Sequence, residues 1–343
     1  MGNGERGAGS GGRDPGSGTR DPGSGIRDAG SGTRDPETGS GCCLYDPAVT
    51  DQSGRPARPA RSESREAAAL RAIKEDHPEL ADAVDMHLEL VELYRRVQGR
   101  VPLPSMEIST DILKRHAAER RPLLRFEDIP LDLTELRLLV RQVADILRRH
   151  GALDEADYQR VQTLGRDMTL LAAVGDWYRS TAESHAMASV GAARVSASTT
   201  ADDAAAAQIL SLAMRPFLSR CAEVLQQRPE LDGWTHPHCA LCGGEPEFAV
   251  ITPAAERHLI CGRCALRWKY EPLTCPYCGN ADRSRITSFA TTDGQYRVYA
   301  CDQCRRYLKA YDGRRASRQV MPMVDTVATL PLDAAAMQRG YSS

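Results

Sequence analysis

The chain has 343 residues, of which 41% are apolar, and its 44 basic and 46 acidic side chains give a formal net charge of −2. This length allows one or two sizeable cores, and the near-zero charge gives no overall attraction to nucleic acid or acidic membranes. No run of eighteen apolar residues and no apolar signal segment is visible, which argues against membrane insertion and export. We therefore expect a soluble protein of the cytoplasm, a compartment in which thiols stay reduced.

Residues 1–60 are predicted to form a disordered tail rich in Gly, Ser, Arg and Asp. A seven-residue repeat dominates this stretch, and its copies begin at Gly9, Gly16, Gly23 and Gly30. The repeat contains almost nothing that a core would bury, so it cannot offset the entropy lost on folding. We expect no function of this tail in the chemistry of the protein.

Residues 61–230 are predicted to form an all-α domain. Apolar side chains recur at helical intervals in two segments that each stop at a glycine, and two further segments are rich in Ala and Leu. These four helices are expected over Glu79–Gln98, Leu136–His150, Leu170–Met187 and Asp202–Gln227. Asp132 or Thr134 is placed to cap the second helix, and Pro216 is expected to kink or break the fourth.

The cysteines are concentrated in residues 231–320, where eight of the chain's 11 form four Cys-x-x-Cys pairs. Two cysteines at this spacing direct both sulfurs at one point from a tight turn, and two such turns complete a tetrahedral thiolate shell. Gly243 and Gly279 follow two of the pairs, where a turn around a metal often needs a positive φ. The pattern predicts two four-cysteine sites, with the ligands Cys239, Cys242, Cys261, Cys264, Cys275, Cys278, Cys301 and Cys304.

The order along the chain favours joining the first pair to the second and the third to the fourth, although interleaved pairing stays possible. The first ribbon is then expected over residues 231–270 and the second over 271–320, with residues 321–343 as a tail that packs on the body. A disulfide framework or a redox-active Cys-x-x-Cys centre is an alternative reading of the same cysteines. Tetrahedral thiolates suit both iron and zinc, so we expect two Fe or Zn ions per chain, one per site.

The motifs around these cysteines resemble those of formate dehydrogenase accessory proteins of the FdhE type. The similar blocks are C-A-L-C-G-G-E-P from Cys239, R-H-L-I-C-G-R-C-A-L-R-W ending at Trp268, C-P-Y-C-G from Cys275, C-D-Q-C-R-R-Y-L-K from Cys301 and A-T-L-P-L-D from Ala328. The chain departs from the family pattern at Ala240-Leu241, where a proline usually follows the first cysteine, and at Pro272, where we expect an arginine. Neither departure removes a sulfur.

The resemblance implies a fold and a role. The fold class is an all-α N-terminal domain followed by two tandem rubredoxin-like or zinc-ribbon modules. The role is that of an assembly factor required for active formate dehydrogenase, which contacts the enzyme's large catalytic subunit in the cytoplasm. The sequence contains no P-loop, Gly-x-Gly-x-x-Gly or Gly-x-Ser-x-Gly motif, so we expect no enzyme activity. Aromatic and arginine side chains anchor many protein interfaces, and the candidate partner contacts are Trp268, Arg305, Arg306 and Tyr307.

Two functions from other classes remain alternatives to this role. Between Cys239 and Val320 there are 13 basic and 8 acidic residues, which would suit a zinc ribbon that binds nucleic acid. Two divalent ions held by eight thiolates add four negative charges, which leaves an excess of about one positive charge, too small for a strong phosphate-binding surface unless the charges segregate. Thiol redox or sulfur handling is the second alternative, and it would require a reactive cysteine outside a closed metal site.

Overall fold

The structure is a computed structural model that describes residues 63–104, 108–188, 201–226, 228, 231, 233–315 and 318–342. The tail predicted over residues 1–60 lies outside the described residues. The chain from Arg61 to Ser343 forms one compact unit, in which a helical part leads into a β-sheet and two C-terminal helices. The fold class expected from the sequence is therefore confirmed, whereas the exact domain borders remain a prediction.

Seven α-helices are described in the N-terminal part of this unit. Their bounds are α1 Arg65–Asp76, α2 Ala81–Gln98, α3 Thr110–Glu119, α4 Leu133–Arg149, α5 Glu155–Leu164, α6 Leu170–Ala188 and α7 Ala201–Leu225. Two C-terminal helices follow the sheet, α8 (Pro322–Ala328) and α9 (Leu330–Gln338). None of the helices in the described ranges combines the length and the apolar character that crossing a bilayer requires.

The ends of the helices follow from local chemistry. The carboxylate of Asp132 accepts hydrogen bonds from the backbone amides of Thr134 and Glu135, so Asp132 is the residue that caps α4. The helix α2 ends at Gln98, immediately before Gly99, as its glycine stop predicts. Pro216 lies inside α7, and the helix continues through it without a break.

The sheet joins both ribbons into one structure. Its strands are β1 (Pro246–Ile251), β2 (Arg257–Cys261), β3 (Arg267–Tyr270), β4 (Ile286–Ala290), β5 (Tyr296–Cys301) and β6 (Tyr307–Asp312), arranged in the order β3-β2-β1-β6-β5-β4. Each ribbon is an antiparallel three-stranded unit, and the two units meet where β1 pairs with β6 in parallel. The ribbons are therefore repeats joined edge to edge, with β3 and β4 as the outer strands.

Three groups of buried side chains hold the described part of the chain together. The largest group runs from α2, α4 and α7 into the first ribbon and includes the sulfurs of that ribbon. A second group lies between the sheet and α9, and a third lies among α1, α2 and α8. The C-terminal helices thus contact both the sheet and the start of the helical part, which brings the two ends of the described chain together.

Candidate metal centres

The structure brings the eight predicted sulfurs into two groups of four. The first group contains Cys239, Cys242, Cys261 and Cys264, and the second contains Cys275, Cys278, Cys301 and Cys304. Within each group all four sulfurs lie within 4.8 Å of one another. The first pair of cysteines is thus joined to the second and the third pair to the fourth, and the pairing is sequential rather than interleaved.

The distances between sulfurs fit a tetrahedral ion. In the first group the Cys239–Cys264 and Cys242–Cys261 sulfurs are 3.5 Å apart. In the second group the closest sulfurs are 3.7 Å apart. Four sulfurs at about 2.3 Å from a central zinc ion have edges of about 3.8 Å, whereas a disulfide needs about 2.05 Å. The quartets therefore match the size of a metal–thiolate tetrahedron and do not match disulfides.

The same backbone turn presents each pair of sulfurs. In every pair, the amide of the fourth residue after the first cysteine donates to that cysteine's carbonyl, at 2.9–3.0 Å. The donors are Gly243, Ala265, Gly279 and Arg305, and all four have a φ between 58° and 73°. The two glycines adopt this left-handed conformation without strain, whereas Ala265 and Arg305 adopt it at a steric cost. The sequence signal for the turn was therefore present in only two of the four copies.

The pKa values of the thiols differ from one sulfur to another. Burial raises the pKa of the Cys239 and Cys264 thiols well above the ordinary value. Burial also acts to raise the pKa of Cys261, but hydrogen bonds from the other three sulfurs outweigh it, and the pKa lies well below the ordinary value. In the second quartet burial raises the pKa of Cys278 to about 11. An ion that binds four thiolates must therefore displace protons from most of these sulfurs.

The first quartet lies against the helical part. The backbone amides of Leu123 and Leu124 donate to the carbonyls of Ala240 and Leu241, both at 2.9 Å, so a helical-part segment pairs with the first turn. The hydroxyl of Tyr178 donates to the Leu124 carbonyl at 2.8 Å, which ties α6 to the same segment. All four sulfur-bearing residues of this quartet are buried. The departure at Ala240-Leu241 thus falls on residues that meet the helical part.

An arginine beside the first quartet strengthens this contact. The guanidinium of Arg263 stacks over the ring of Trp177, with 4.1 Å between the guanidinium carbon and the ring centre. The backbone amide of the same residue points at the Cys261 sulfur at 3.4 Å. Arg263 therefore connects α6 directly to the turn that holds the second pair of sulfurs. A guanidinium at this place also offsets the negative charge of four thiolates.

The second quartet is more open to solvent. Cys278 is exposed and Cys304 is half-buried, whereas Cys275 and Cys301 are buried. Arg257, a buried residue on strand β2 of the first ribbon, holds the loop that precedes Cys275. Its Nη1 donates to the carbonyls of Thr274 at 2.9 Å, Pro272 at 3.3 Å and Glu271 at 3.4 Å. No sequence signal indicated this role, because an arginine in a short strand usually faces solvent.

The four predicted partner contacts occupy different environments. Trp268 is 4% exposed and donates to the His236 carbonyl, and Tyr307 is also 4% exposed and donates to Asp333 at 2.7 Å. Arg306 forms a two-point ion pair with Glu245 at 3.0 and 2.8 Å.

Arg305 is the most exposed of the four. Half of its side-chain surface is accessible, although its guanidinium pairs with Asp302, donates to the carbonyls of Arg339 and Gly340 and lies over the ring of Tyr341. A contact role for the four residues stays a prediction, and Arg305 is the member best placed for it.

Two known proteins are similar to this chain in sequence. A relative in Aquifex aeolicus (strain VF5), described as a protein FdhE homolog, is 27% identical over 117 residues, which cover 33% of this chain and 41% of the relative. Another in Shewanella oneidensis, with the same description, is 32% identical over 109 residues, which cover 31% of this chain and 35% of the relative. The resemblance to the FdhE-type family is confirmed. No family model matches the chain.

The crystal structure of the FdhE protein from Pseudomonas aeruginosa is similar to this chain in fold. Its TM-score is 0.53 at 19% identity, and the match covers 81% of this chain and 91% of that one. The chain spans less than half the length of the two curated FdhE homologs it matches. The similarity in fold therefore extends over most of the chain, whereas the sequence similarity to the two homologs covers about a third of it.

Proposed function

We propose that this protein is an accessory factor for the formation of active formate dehydrogenase, and that it binds the enzyme's catalytic subunit in the cytoplasm through its two-ribbon part. The main support is the pair of closed sulfur quartets on an FdhE-like fold. Four protein ligands fill a tetrahedral ion, so such a site has no open position for a substrate. The quartets thus favour a binding protein over an enzyme.

Each quartet would hold one Fe or Zn ion through its four thiolates. The ion would join two turns of one ribbon, and its binding energy would contribute to the folding of that ribbon. Metal analysis of freshly purified protein tests this part of the proposal. We expect about two ions per chain, and a stoichiometry near zero in a folded protein would contradict it.

The surface around the second quartet is the proposed contact with the catalytic subunit. This quartet is accessible at Cys278, and Arg305 lies on the turn that follows Cys304. Arg306 is less suitable than the sequence suggested, because 22% of its side chain is accessible, against 50% for Arg305. We therefore place the contact on Arg305 and its exposed neighbours rather than on the Arg305/Arg306 pair.

The test is capture of the catalytic subunit by the immobilised full chain, together with recovery of formate oxidation in a strain that lacks the protein. An Arg305→Gln variant is expected to keep both ions and to stay folded, with a melting temperature lowered only slightly by the loss of its bonds to the Arg339 and Gly340 carbonyls, while capture weakens about tenfold, the effect of losing one interface anchor. Arg315→Gln, at another exposed arginine of the same ribbon, is the control and should bind normally. If the intact chain does not capture the subunit, the proposed function is wrong. If the intact chain captures it and Arg305→Gln captures it equally well, the docking surface lies elsewhere.

The contacts around the ribbons weigh against nucleic-acid binding. Of the 13 basic side chains counted in the sequence, seven pair with carboxylates in the described structure, among them Arg306 with Glu245, Lys309 with Asp333, Arg314 with Asp312 and Arg318 with Asp325. A cation that already pairs with a carboxylate contributes little attraction for a phosphate. Salt-dependent binding to DNA or RNA would favour the alternative.

The thiols weigh against sulfur chemistry in a similar way. Among the described cysteines, Cys221 is the one outside the quartets, and it is fully buried on α7. Burial raises its pKa to about 12, so it stays a thiol at neutral pH. A cysteine that alkylates without loss of metal would favour the redox alternative.

A further inference from the structure

The outer strand β4 pairs with β5 on one side, and no described strand pairs with its other side. In the β4–β5 ladder the Thr291 amide donates to the Tyr296 carbonyl, and at the other end the Asp302 amide donates to the Arg285 carbonyl. Because hydrogen-bonded pairs alternate in an antiparallel ladder, the odd-numbered residues of β4 face β5. The amides and carbonyls of Ser288 and Ala290 and the carbonyl of Ile286 therefore point away from β5, whereas the Ile286 amide donates to the Arg283 carbonyl.

The equivalent strand of the first ribbon, β1, shows which kind of strand can pair with such an edge. Strand β1 occupies the same place in the first ribbon as β4 does in the second, since each follows the first sulfur turn of its ribbon and ends before a threonine, Thr252 or Thr291. The edge of β1 is not open: it pairs in parallel with β6, and the Ile251 carbonyl accepts from the Gly313 amide at 2.8 Å. By this equivalence Ala290 corresponds to Ile251 and Ser288 to Ala249. The edge of β1 that pairs with a parallel strand in the first ribbon thus has an equivalent in the second ribbon, the edge of β4, which no described strand occupies.

The charges beside β4 are positive. Arg283 and Arg285 form the turn that leads into the strand, both side chains are exposed, and neither forms an ion pair within the described ranges. The nearby carboxylates are engaged, since Asp282 accepts from the amide and hydroxyl of Ser284 and Asp302 accepts from Arg305 and Tyr341.

The N-terminal end of β4 thus carries two exposed guanidinium groups, those of Arg283 and Arg285, that form no ion pair in the described ranges. A strand that runs parallel to β4 places its N-terminal residues beside them.

We infer that the edge of β4 binds an extended segment of a partner protein by strand addition, in parallel, with acidic residues at the N-terminal end of that segment. Main-chain hydrogen bonds to Ser288 and Ala290 supply the attachment, and the two arginines select for acid. This inference does not depend on the identity of the partner or on the proposed function.

A second copy of this chain is a less suitable occupant. The free strand that corresponds to β6 is β3, whose outward side chains Arg267 and Lys269 are exposed. Parallel pairing of β3 with β4 would bring Arg267 beside Arg283 and Arg285, and like charges side by side on a sheet are destabilising. Positive side chains on an edge strand are also a common protection against pairing between copies.

The test measures binding of an acetylated, dye-labelled peptide of about ten residues, three glutamates followed by alternating valine and threonine, to the full-length protein. We expect a dissociation constant of about 100 µM or lower, at least about tenfold tighter than for the same peptide with lysines in place of the glutamates. Ser288→Pro removes an amide that β5 does not use, so both ions and the melting temperature should persist while binding weakens about tenfold or more. Ser288→Val keeps the amide and is the matched control, expected to bind normally.

A double variant, Arg283→Gln with Arg285→Gln, distinguishes the contribution of the two charges to peptide binding from that of the main-chain hydrogen bonds. It should weaken the acidic peptide several-fold and remove the salt dependence of its binding, while leaving the lysine peptide unaffected or improved. Three results would overturn the inference: no binding of the acidic peptide up to about 1 mM, equal binding by Ser288→Pro, or self-association of the chain that Ser288→Pro abolishes. The last result would assign the edge to a second copy.

Discussion

Replacing Arg257 by methionine tests whether the first ribbon supports the ion in the second. Arg257 is 4% exposed, and its Nη1 donates to three carbonyls of the loop that leads into Cys275. Methionine keeps most of the volume of the side chain and loses these hydrogen bonds. The bond to Thr274, at 2.9 Å, is worth about 2 kcal/mol for a charged donor, and the two longer ones add about 1 kcal/mol together.

A loss of about 3 kcal/mol that falls on the loop before Cys275 would lower the affinity of the second quartet for its ion about 100-fold. The assay is competition with a chelator, followed by metal analysis and by the melting temperature. We expect Arg257→Met to release one of two ions at a chelator concentration that leaves the unmodified protein loaded. The first quartet should keep its ion, because its turns do not contact Arg257 in the described structure.

Two comparisons make this prediction specific. Lys269→Met removes an exposed cation from the neighbouring strand β3 and should change neither the ion content nor the melting temperature. Arg257→Lys keeps the charge but loses the geometry of the guanidinium, so it behaves like methionine if the hydrogen bonds matter and like the unmodified protein if the charge alone matters. Retention of both ions by Arg257→Met, with an unchanged melting temperature, would refute the reasoning.

Further predictions follow from the different environments of the quartets. Cys239→Ser should lower the melting temperature of the helical part as well as the ribbons, whereas Cys278→Ser, in the more open quartet, should unfold the second ribbon alone; hydrogen exchange of the helices separates these outcomes. Because burial raises the pKa of Cys239, Cys264 and Cys278, ion binding releases protons, so retention against a chelator should fall as the pH is lowered from 8 to 5; a flat profile would contradict this. Asp325 is fully buried and accepts from Tyr296, Met321 and Arg318, so Asp325→Asn should cost about 3 kcal/mol in urea unfolding, against no change for the exposed Asp111→Asn.

The sequence predicted the local parts of this structure well. The turn of each cysteine pair follows from spacing alone, because two residues between cysteines define one turn whatever surrounds it. The order of the pairs favoured their grouping into two quartets but left interleaved pairing open. The helices α2, α4, α6 and α7 are long. The first two carry a helical period and a glycine stop, and the other two are rich in Ala and Leu, so their positions were predicted to within a few residues. The helices α1, α3, α5, α8 and α9 were missed, since each is short or has little contrast between its faces.

The long-range contacts were not predictable in the same way. The parallel pair of β1 and β6 joins residues that are about sixty positions apart, and no local pattern specifies such a pairing. The left-handed turns at Ala265 and Arg305 carry no glycine, so only the metal-site spacing indicated them. The burial of Trp268 did have a signal, because Arg-Trp-Lys-Tyr alternates along β3 and places Trp268 and Tyr270 on one face.

The two ribbons are repeats that the rest of the chain treats differently. The first is held by the helical part through Leu123 and Leu124, and its outer partner strand is supplied internally by β6. The second has no such cover at Cys278 and ends in the open edge of β4. A stable platform needs at least one ribbon fixed to the body, and a docking site needs at least one that is accessible. This asymmetry of burial is the reason for our proposal that the first quartet supports the fold and the second lies at the recognition surface.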